Sequence, residues 1–269
     1  MPKLKTPENF YINYEIHGNK AAEQTIIFAH GNGNCIEDWR NLGYIDKLTT
    51  YLPHTKLIFM DALGYGDSDK PIKATEYTPE RRASDVIAVL DNLNISKAVF
   101  FGASVGGSLG FVLADLYPER FSGFLIGSAH PYGYTQPIGC NIFDESFRTT
   151  IKLHGMLGFV TDLETKYLQR QFHDAVRPQY LKNDPQAIIA ANTLEWPNRR
   201  ESLSKIRVPV LLFAGDKDPV SQFQPEIGAQ ISQAEVLILP NTDHCDAYWN
   251  SEKIVPLIAE FVKRKHLAS

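Results

Sequence analysis

The sequence predicts an α/β domain: a doubly wound, mostly parallel sheet of about eight strands, with a mostly helical insertion after the sixth strand. Short apolar runs alternate with longer segments whose apolar residues recur at helical spacing, which is typical of a parallel sheet covered on both faces. The alternation stops once, between residues 131 and 205, where helical patterns follow one another. The length of 269 residues accommodates one such domain with its insertion.

Seven short segments predict strands. Six of them are apolar runs, as expected for buried strands, whereas the first alternates polar and apolar residues and could run antiparallel. In chain order the predicted strands are Phe10–Ile16, Thr25–Ala29, Leu57–Met60, Ala98–Phe101, Gly123–Ile126, Val208–Ala214 and Val236–Leu239.

Helical spacing of apolar residues predicts the helices between these strands. In Pro79–Leu93, Thr78 is a suitable N-cap and Pro79 takes the first helical position. The other predicted helices are Ser108–Tyr117, Thr161–Ala175, Pro185–Leu194 and, near the C-terminus, Ser251–Lys265.

The helical stretch divides the chain into two predicted parts. Residues 1–130 and 206–269 are expected to form the core, and residues 131–205 to form a cap inserted into it. The cap is expected to cover the carboxyl ends of the strands, because open α/β sheets place their sites on that edge.

Composition excludes several functional classes. The chain has 31 acidic and 27 basic residues, a net charge of −4, and no long block of one sign, so no nucleic-acid partner is expected. No apolar run approaches the roughly 18 residues that span a bilayer. Cys35, Cys140 and Cys245 are far apart and lack metal-ligand spacing, and no charged-then-apolar leader begins the chain. We therefore expect a cytoplasmic location.

A G-x-S-x-G motif at Gly102–Gly106 lies between a predicted strand and a predicted helix. A strand that turns at once into a helix forces the central residue into a strained conformation, and bulky neighbours would clash there. Glycines at both ends remove those clashes and leave the oxygen of Ser104 exposed at the helix N-terminus, where negative charge is favoured. Ser104 is therefore a candidate nucleophile.

A serine nucleophile needs a base and an acid that orients the base. His244 follows the last predicted strand by a short loop, so it belongs to the same sheet edge as Ser104. Asp218, in the loop after Val208–Ala214, is the preferred acid, and Asp216 is the alternative. The order Ser, Asp, His is the one expected for this arrangement.

Acyl transfer also needs N–H donors for the oxyanion. The backbone N–H of Val105, directly after Ser104, is one candidate. The other is the N–H of Asn32, in a glycine-rich loop that follows the strand Thr25–Ala29. His30 is expected to hold this loop by hydrogen bonding.

The chain resembles the α/β-hydrolase fold family, in the branch with a cap after the sixth strand. The resemblance rests on four segments that together span most of the chain: His30–Gly33, Asp61–Pro71, Gly102–Gly107, and Gly215–Asp218 together with His244. The second segment is similar to the family's D-x-x-G-x-G-x-S-[DE]-K-P signature, usually a structural loop near the site.

The resemblance implies that Ser104 is the nucleophile, His244 the base and then the acid, and Asp218 the orienting acid. It also excludes the branches that use an aspartate nucleophile at the elbow. The sequence departs from the family at Ala103 and Val105 in the elbow, and residues 245–249 lack the frequent Glu-x-Pro. Neither departure removes a catalytic group.

The cap is expected to determine specificity. Trp39, His130, Tyr132 and Tyr248 are candidate substrate-binding residues, although a capping or packing role explains His130 better. Other candidates for an apolar lining are Tyr134, Phe143, Met156, Phe159 and Trp196. Together they suggest a pocket for an uncharged, partly apolar acyl group.

These residues predict a serine hydrolase that cleaves carboxylic esters of small or medium acyl chain, with a small-molecule ester as partner and no metal or organic cofactor. The oligomeric state stays open between monomer and homodimer. Alternatives are a carbon–carbon bond hydrolase, in which Arg148, Arg170 or Arg177 would hold a substrate carboxylate, a lipase, a thioesterase or a perhydrolase. A ligand-binding receptor that retains the fold is a further alternative.

Overall fold

The computed structural model describes residues 3–133 and 144–267. Within these ranges, eight strands form one sheet. The strands are β1 (Lys3–Lys5), β2 (Tyr11–Gly18), β3 (Thr25–Ala29), β4 (Lys56–Met60), β5 (Ala98–Ala103), β6 (Phe121–Gly127), β7 (Val210–Gly215) and β8 (Ala234–Leu239).

Helices lie between the strands and within the insertion. The α-helices are α1 (Ile36–Asn41), α2 (Tyr44–Tyr51), α3 (Pro79–Asn92), α4 (Val105–Leu116), α5 (Glu145–Asp162), α6 (Arg177–Lys182), α7 (Pro185–Ala191), α8 (Gln224–Gln230), α9 (Asp246–Trp249) and α10 (Ser251–Arg264). The 3₁₀ turns are Ala74–Tyr77, Pro118–Arg120, Arg200–Lys205 and Pro219–Phe223, and Leu163–Leu168 is π-helical.

The strand order in the sheet is β1-β2-β4-β3-β5-β6-β7-β8. The pairs β1–β2 and β2–β4 are antiparallel, and every other pair is parallel. The predicted fold class is therefore confirmed, including the antiparallel strand near the N-terminus. Strand β1 was not predicted, because three residues with two exposed lysines carry no apolar pattern.

Buried strands form the centre of the molecule. Every residue of β3 and β5 is buried. The ring of Phe28 stacks on that of Phe59 with centroids 4.4 Å apart and contacts Phe101 at 5.3 Å. Aromatic contacts of this kind link three neighbouring strands and keep their carboxyl ends at one edge.

Helix α3 begins and packs as predicted. The Thr78 side chain accepts a hydrogen bond from the N–H of Arg81 at 3.1 Å, and Pro79 occupies the first turn. Val86, Val89 and Leu90 are buried against the core.

From residue 144 onward the insertion is mostly helical, but it differs in detail from the prediction. The predicted helix Thr161–Ala175 is wrong in its bounds, because helical structure ends at Leu168 and Gln169 adopts a left-handed conformation with φ 52°. The helix predicted to reach Leu194 ends at Ala191. The division into a core and a cap at residues 131 and 205 stays a prediction.

Hydrogen bonds tie the inserted segment to the core. Arg199 pairs with Asp115 on α4 and with Glu80 on α3. Arg82 on α3 donates to the carbonyl oxygen of Ala191 at 2.8 Å.

In the described parts of the chain, no helix is both long and apolar enough to cross a membrane.

We expect Thr78→Ala to lower the free energy of unfolding by about 1 kcal/mol, because the N–H of Arg81 loses its acceptor. For a chain of this size that corresponds to a melting temperature lower by about 2–4 °C in calorimetry. Thr50→Ala is the control, since the exposed Thr50 hydroxyl bonds only within its own helix, to the carbonyl oxygen of Asp46. Equal melting temperatures for the Thr78 variant and the wild type would contradict the capping role.

Candidate active site

The turn from β5 to α4 holds Ser104 in a strained conformation. Its φ of 54° and ψ of −121° lie in a region that residues with a side chain rarely adopt. The Ser104 N–H donates to the carbonyl oxygen of Gly127 on β6 at 2.9 Å. Such strain persists only where surrounding structure enforces it, and it is concentrated at functional sites.

The two motif glycines permit this turn by close backbone approach. A Cβ atom built on Gly102 would lie 2.1 Å from the carbonyl oxygen of Gly106. A Cβ atom on Gly106 would lie 2.4 Å from the carbonyl oxygen of Ala29 at the end of β3. No side chain fits at either position, as the motif predicted.

His244 bridges the predicted nucleophile and the predicted acid. Its Nε2 atom lies 3.0 Å from Ser104 Oγ, and its Nδ1 atom lies 2.9 Å from Asp218 Oδ2. An ionised Asp218 can only accept, so Nδ1 carries the proton and Nε2 is free to accept from the serine hydroxyl. Hydrogen bonds therefore link Asp218, His244 and Ser104 in one series.

Asp218 follows β7 and is almost fully buried, with 1% of its side chain exposed. Its Oδ1 atom also accepts from the Val220 N–H at 3.0 Å. Burial raises the pKa of Asp218, but the charge and hydrogen bond of His244 and the Val220 N–H outweigh it, so the net pKa lies below the usual value. The carboxylate is therefore ionised at neutral pH.

Asp216, the alternative acid, has a different environment. It is exposed and accepts hydrogen bonds from the N–H groups of Asn241 and Thr242 at 2.9 and 3.0 Å. These bonds lower its pKa and tie the loop after β7 to the loop that leads to His244. The structure brings Asp218, and not Asp216, to the imidazole.

Hydrogen bonds to the two oxygen atoms of Asn32 hold its loop in place. The Asn32 carbonyl oxygen accepts from the Tyr180 hydroxyl at 2.5 Å, and its Oδ1 accepts from Asn192 at 3.1 Å and from the Tyr65 hydroxyl. Within the part of the chain that the structure describes, the backbone N–H groups of Asn32 and Val105 donate to no protein acceptor. Both therefore stay candidates for the predicted oxyanion donors.

His30 supports this loop, as expected. It is buried, with Nδ1 2.8 Å from the carbonyl oxygen of Gly31, and Nε2 accepts from the Ala62 N–H at 3.0 Å. Burial lowers its pKa, so the ring is neutral. His30 therefore joins the loop after β3 to the loop after β4.

The segment Asp61–Pro71 is organised around the buried Asp61 carboxylate. Its oxygens accept from the N–H groups of Ile36 and Asp67 at 2.7 and 2.9 Å and from the Asn13 amide at 2.8 Å. A Cβ atom on Gly66 would lie 2.3 Å from this carboxylate. The segment is a structural loop beside the site.

The predicted substrate-binding residues have different surroundings. Trp39 is buried and packs its ring edge against Phe28, so its described contacts are with the core. His130 is buried and stacks on Tyr132 with centroids 5.7 Å apart. The Tyr248 ring meets the His244 ring edge to face at 5.9 Å.

Three of the other lining candidates lie among the described residues, and two lie outside them. Met156, Phe159 and Trp196 are buried in the described part of the insertion. Tyr134 and Phe143 lie outside the described residues, as does Cys140. No cluster of three or more metal-ligating side chains occurs in residues 3–133 and 144–267.

Sequence reasoning missed the residues of the insertion that reach the oxyanion loop. Tyr180, Asn183 and Asn192 donate to Asn32 or Gly33 from positions about 150 residues away. Tyrosines and asparagines in a helical stretch carry no signal of such contacts, so only the folded chain reveals them.

The family model for the alpha/beta hydrolase fold matches residues 24–251, and the chain belongs to this family. It is 27% identical over 226 residues to 3-oxoadipate enol-lactonase 2 of Acinetobacter baylyi, covering 80% of this chain and 79% of the relative. It is 26% identical over 265 residues to a 2-hydroxy-6-oxononadienedioate/2-hydroxy-6-oxononatrienedioate hydrolase of Burkholderia vietnamiensis, covering 92% and 88%.

Among solved structures, a carboxylesterase from the thaumarchaeon Nitrososphaera gargenis superposes with a TM-score of 0.84 at 19% identity, covering 98% of this chain and 99% of that one. This structural likeness confirms the fold. Family membership and the two relatives support a hydrolase.

We expect Gly102→Ala to destabilise the protein by at least about 2–3 kcal/mol, because the new methyl group would meet the Gly106 carbonyl oxygen. Gly110→Ala in α4 is the matched control, since its nearest neighbour is the Phe100 side chain at 3.1 Å and a helical alanine offsets small repacking. Urea titrations of both variants provide the comparison. Similar stabilities for the two variants would show that the elbow tolerates a side chain.

Proposed function

We propose that this protein is a serine hydrolase that cleaves carboxylic esters of small or medium acyl chain through an acyl-enzyme on Ser104. One observation carries the proposal: a strained serine whose oxygen lies 3.0 Å from an imidazole that is itself 2.9 Å from a buried aspartate. Those distances are within the reach needed for proton transfer.

In the first step, Ser104 Oγ attacks the ester carbonyl carbon while His244 Nε2 takes the hydroxyl proton. Asp218 holds the Nδ1–H tautomer and stabilises the imidazolium that forms. The oxyanion is bound by the N–H groups of Asn32 and Val105. The alcohol then leaves with the proton from His244, and the acyl group stays on Ser104.

In the second step, His244 takes a proton from water, which attacks the acyl-enzyme carbonyl. The same two N–H groups bind the second oxyanion. Collapse releases the carboxylic acid and returns the proton to Ser104 Oγ. Each step uses groups of this chain, and proton transfer passes through His244 in both.

Two observations favour ester cleavage. The enol-lactonase relative is named for a lactone, which is an internal ester. The carbon–carbon bond alternative needs a cation for a substrate carboxylate, and the three arginines suggested for it already have acidic partners. Arg148 pairs with Glu145, Arg177 with Glu164, and Arg170 with two aspartates.

Ser104→Ala should abolish hydrolysis of p-nitrophenyl esters, with a loss of at least about 10⁴-fold in kcat, because no other group supplies the nucleophile. The assay covers acetate to palmitate and includes a simple lactone. We expect the wild type to be most active on short and medium chains. Near wild-type turnover by the variant would remove Ser104 from the mechanism, and inactivity of the wild type on every substrate would overturn the ester proposal.

Asp218→Asn should lower kcat by about two to four orders of magnitude, because an amide does not stabilise the imidazolium. Burial lowers the pKa of His244, but Asp218 and Asp243 raise it, and the net pKa lies above the usual value. Activity of the wild type is therefore lost as the pH falls through that raised pKa, and the variant's loss should begin at lower pH. Asp216→Asn is the control, and a larger effect there would mean that Asp216 is the acid.

A further inference from the structure

We propose that Arg170 is a positioning residue that clamps the turn carrying His244 and neutralises the carboxylate beside the imidazole. Its role depends on the proposed function, because His244 needs such control only if it acts as a base. Arg170 belongs to the inserted segment, so the clamp joins the cap to the proton-transfer group of the core.

The turn is closed by Asp243. Asp243 Oδ1 accepts from the Asp246 N–H at 2.8 Å, and its carbonyl oxygen accepts from the Ala247 N–H at 3.1 Å. His244 lies between the two ends of this turn. The bonds of Asp243 therefore fix the backbone on both sides of the imidazole.

Arg170 links both ends of the turn. Its Nε atom donates to Asp243 Oδ2 at 2.9 Å, and its Nη2 atom lies 2.8 Å from the same oxygen and 2.7 Å from Asp246 Oδ1. A planar guanidinium holds two carboxylates in fixed relative positions, which a lysine, as a single point charge, does not.

Hydrogen bonds hold the backbone on both sides of Arg170 in a fixed conformation. Gln169, with φ 52°, ends the π-helical segment, and the Arg170 N–H donates to the carbonyl oxygen of Glu164 at 3.1 Å. Glu164 in turn accepts from the Phe172 N–H at 3.1 Å and from Arg177 Nε at 3.0 Å. The segment is held on both sides of Arg170.

Charged groups reach the His244 region from several elements. Asp218 contacts the ring from the loop after β7, and His130 lies nearby after β6. Lys253 of α10 donates to Thr242 at 2.6 Å, and His173 lies near Asp246. Of the two carboxylates that raise the pKa of His244, only Asp243 is also paired with Arg170.

The test is a double-mutant cycle with Arg170→Gln, Asp243→Asn and the double variant. Arg170→Gln leaves Asp243 uncompensated, so we expect the acid limb of kcat/KM to move up by about 0.3–0.5 pH units, the size expected for partly exposed charges. Asp243→Asn should move the limb down, and the double variant should lie close to the wild type. Arg170→Lys should recover part of the shift.

A second readout does not depend on activity. The His244 resonances of isotope-labelled protein, identified by their absence in His244→Gln, give its pKa directly by NMR titration. Arg264→Gln is the matched control, because Arg264 forms a similar fork on Glu235 at 2.7 and 2.6 Å outside the site. It should leave both the pKa and kcat/KM unchanged.

Shifts of opposite sign in the two single variants that cancel in the double variant support the clamp. Equal pKa values in the wild type and Arg170→Gln, or the same shift in Arg264→Gln, would overturn it. If Arg170→Gln does not fold, the acid limb of kcat/KM and the pKa of His244 are compared between Arg170→Lys, Asp243→Asn and the wild type. If the wild type cleaves no ester, the proposed function fails while the NMR titration still decides the clamp.

Discussion

One close approach of backbone determines the geometry of the site, namely the contact between the turn at Ser104 and the end of β3. Gly106 lies against the carbonyl oxygen of Ala29, and Gly102 against that of Gly106. Because β3 continues directly into the loop of Asn32, the same contact sets the separation between Ser104 and the predicted oxyanion donor. A methyl group on Gly106 would meet the Ala29 carbonyl oxygen and push the turn away from the end of β3.

Residues between β6 and β7 hold the loop that follows β3. The hydroxyl of Tyr180 and the amide of Asn192 fix both oxygens of Asn32, and Tyr65 adds a third bond from the core. The Asn32 N–H shares its peptide plane with the Gly31 carbonyl, whose oxygen lies 2.8 Å from His30 Nδ1 and accepts from the Asn34 N–H at 3.2 Å, so its direction is set before any ligand arrives. Donors held in place in this way cost little reorganisation when negative charge develops.

Local sequence was enough to predict that Ser104, Asp218 and His244 come together, because each follows a strand and parallel strands carry such residues to one edge. The strands before Ser104 and Asp218 are buried as predicted, but the prediction of a buried strand before His244 was wrong. Strand β8 lies at the edge of the sheet, where Val236 and Ile238 are 39% and 38% exposed. The helix end at Gln169 could not be predicted, because its left-handed backbone depends on the packing around it and not on residue type. The contacts of Tyr180 with the Asn32 loop likewise depend on tertiary structure, and Trp39 shows how an aromatic residue near a site can belong to the core instead.

The carboxylates of Asp218 and Asp243, both near His244, would affect base catalysis in different ways. Asp218 is buried and lies 2.9 Å from Nδ1 of His244, so under the proposed mechanism it both orients the ring and stabilises its charged form. Asp243 has no bond to the ring, and by raising the pKa of His244 it would only keep more of the imidazole protonated at rest. A histidine that acts as a base must be neutral before it can accept a proton. A nearby cation that offsets the charge of Asp243, but not that of Asp218, therefore favours base catalysis.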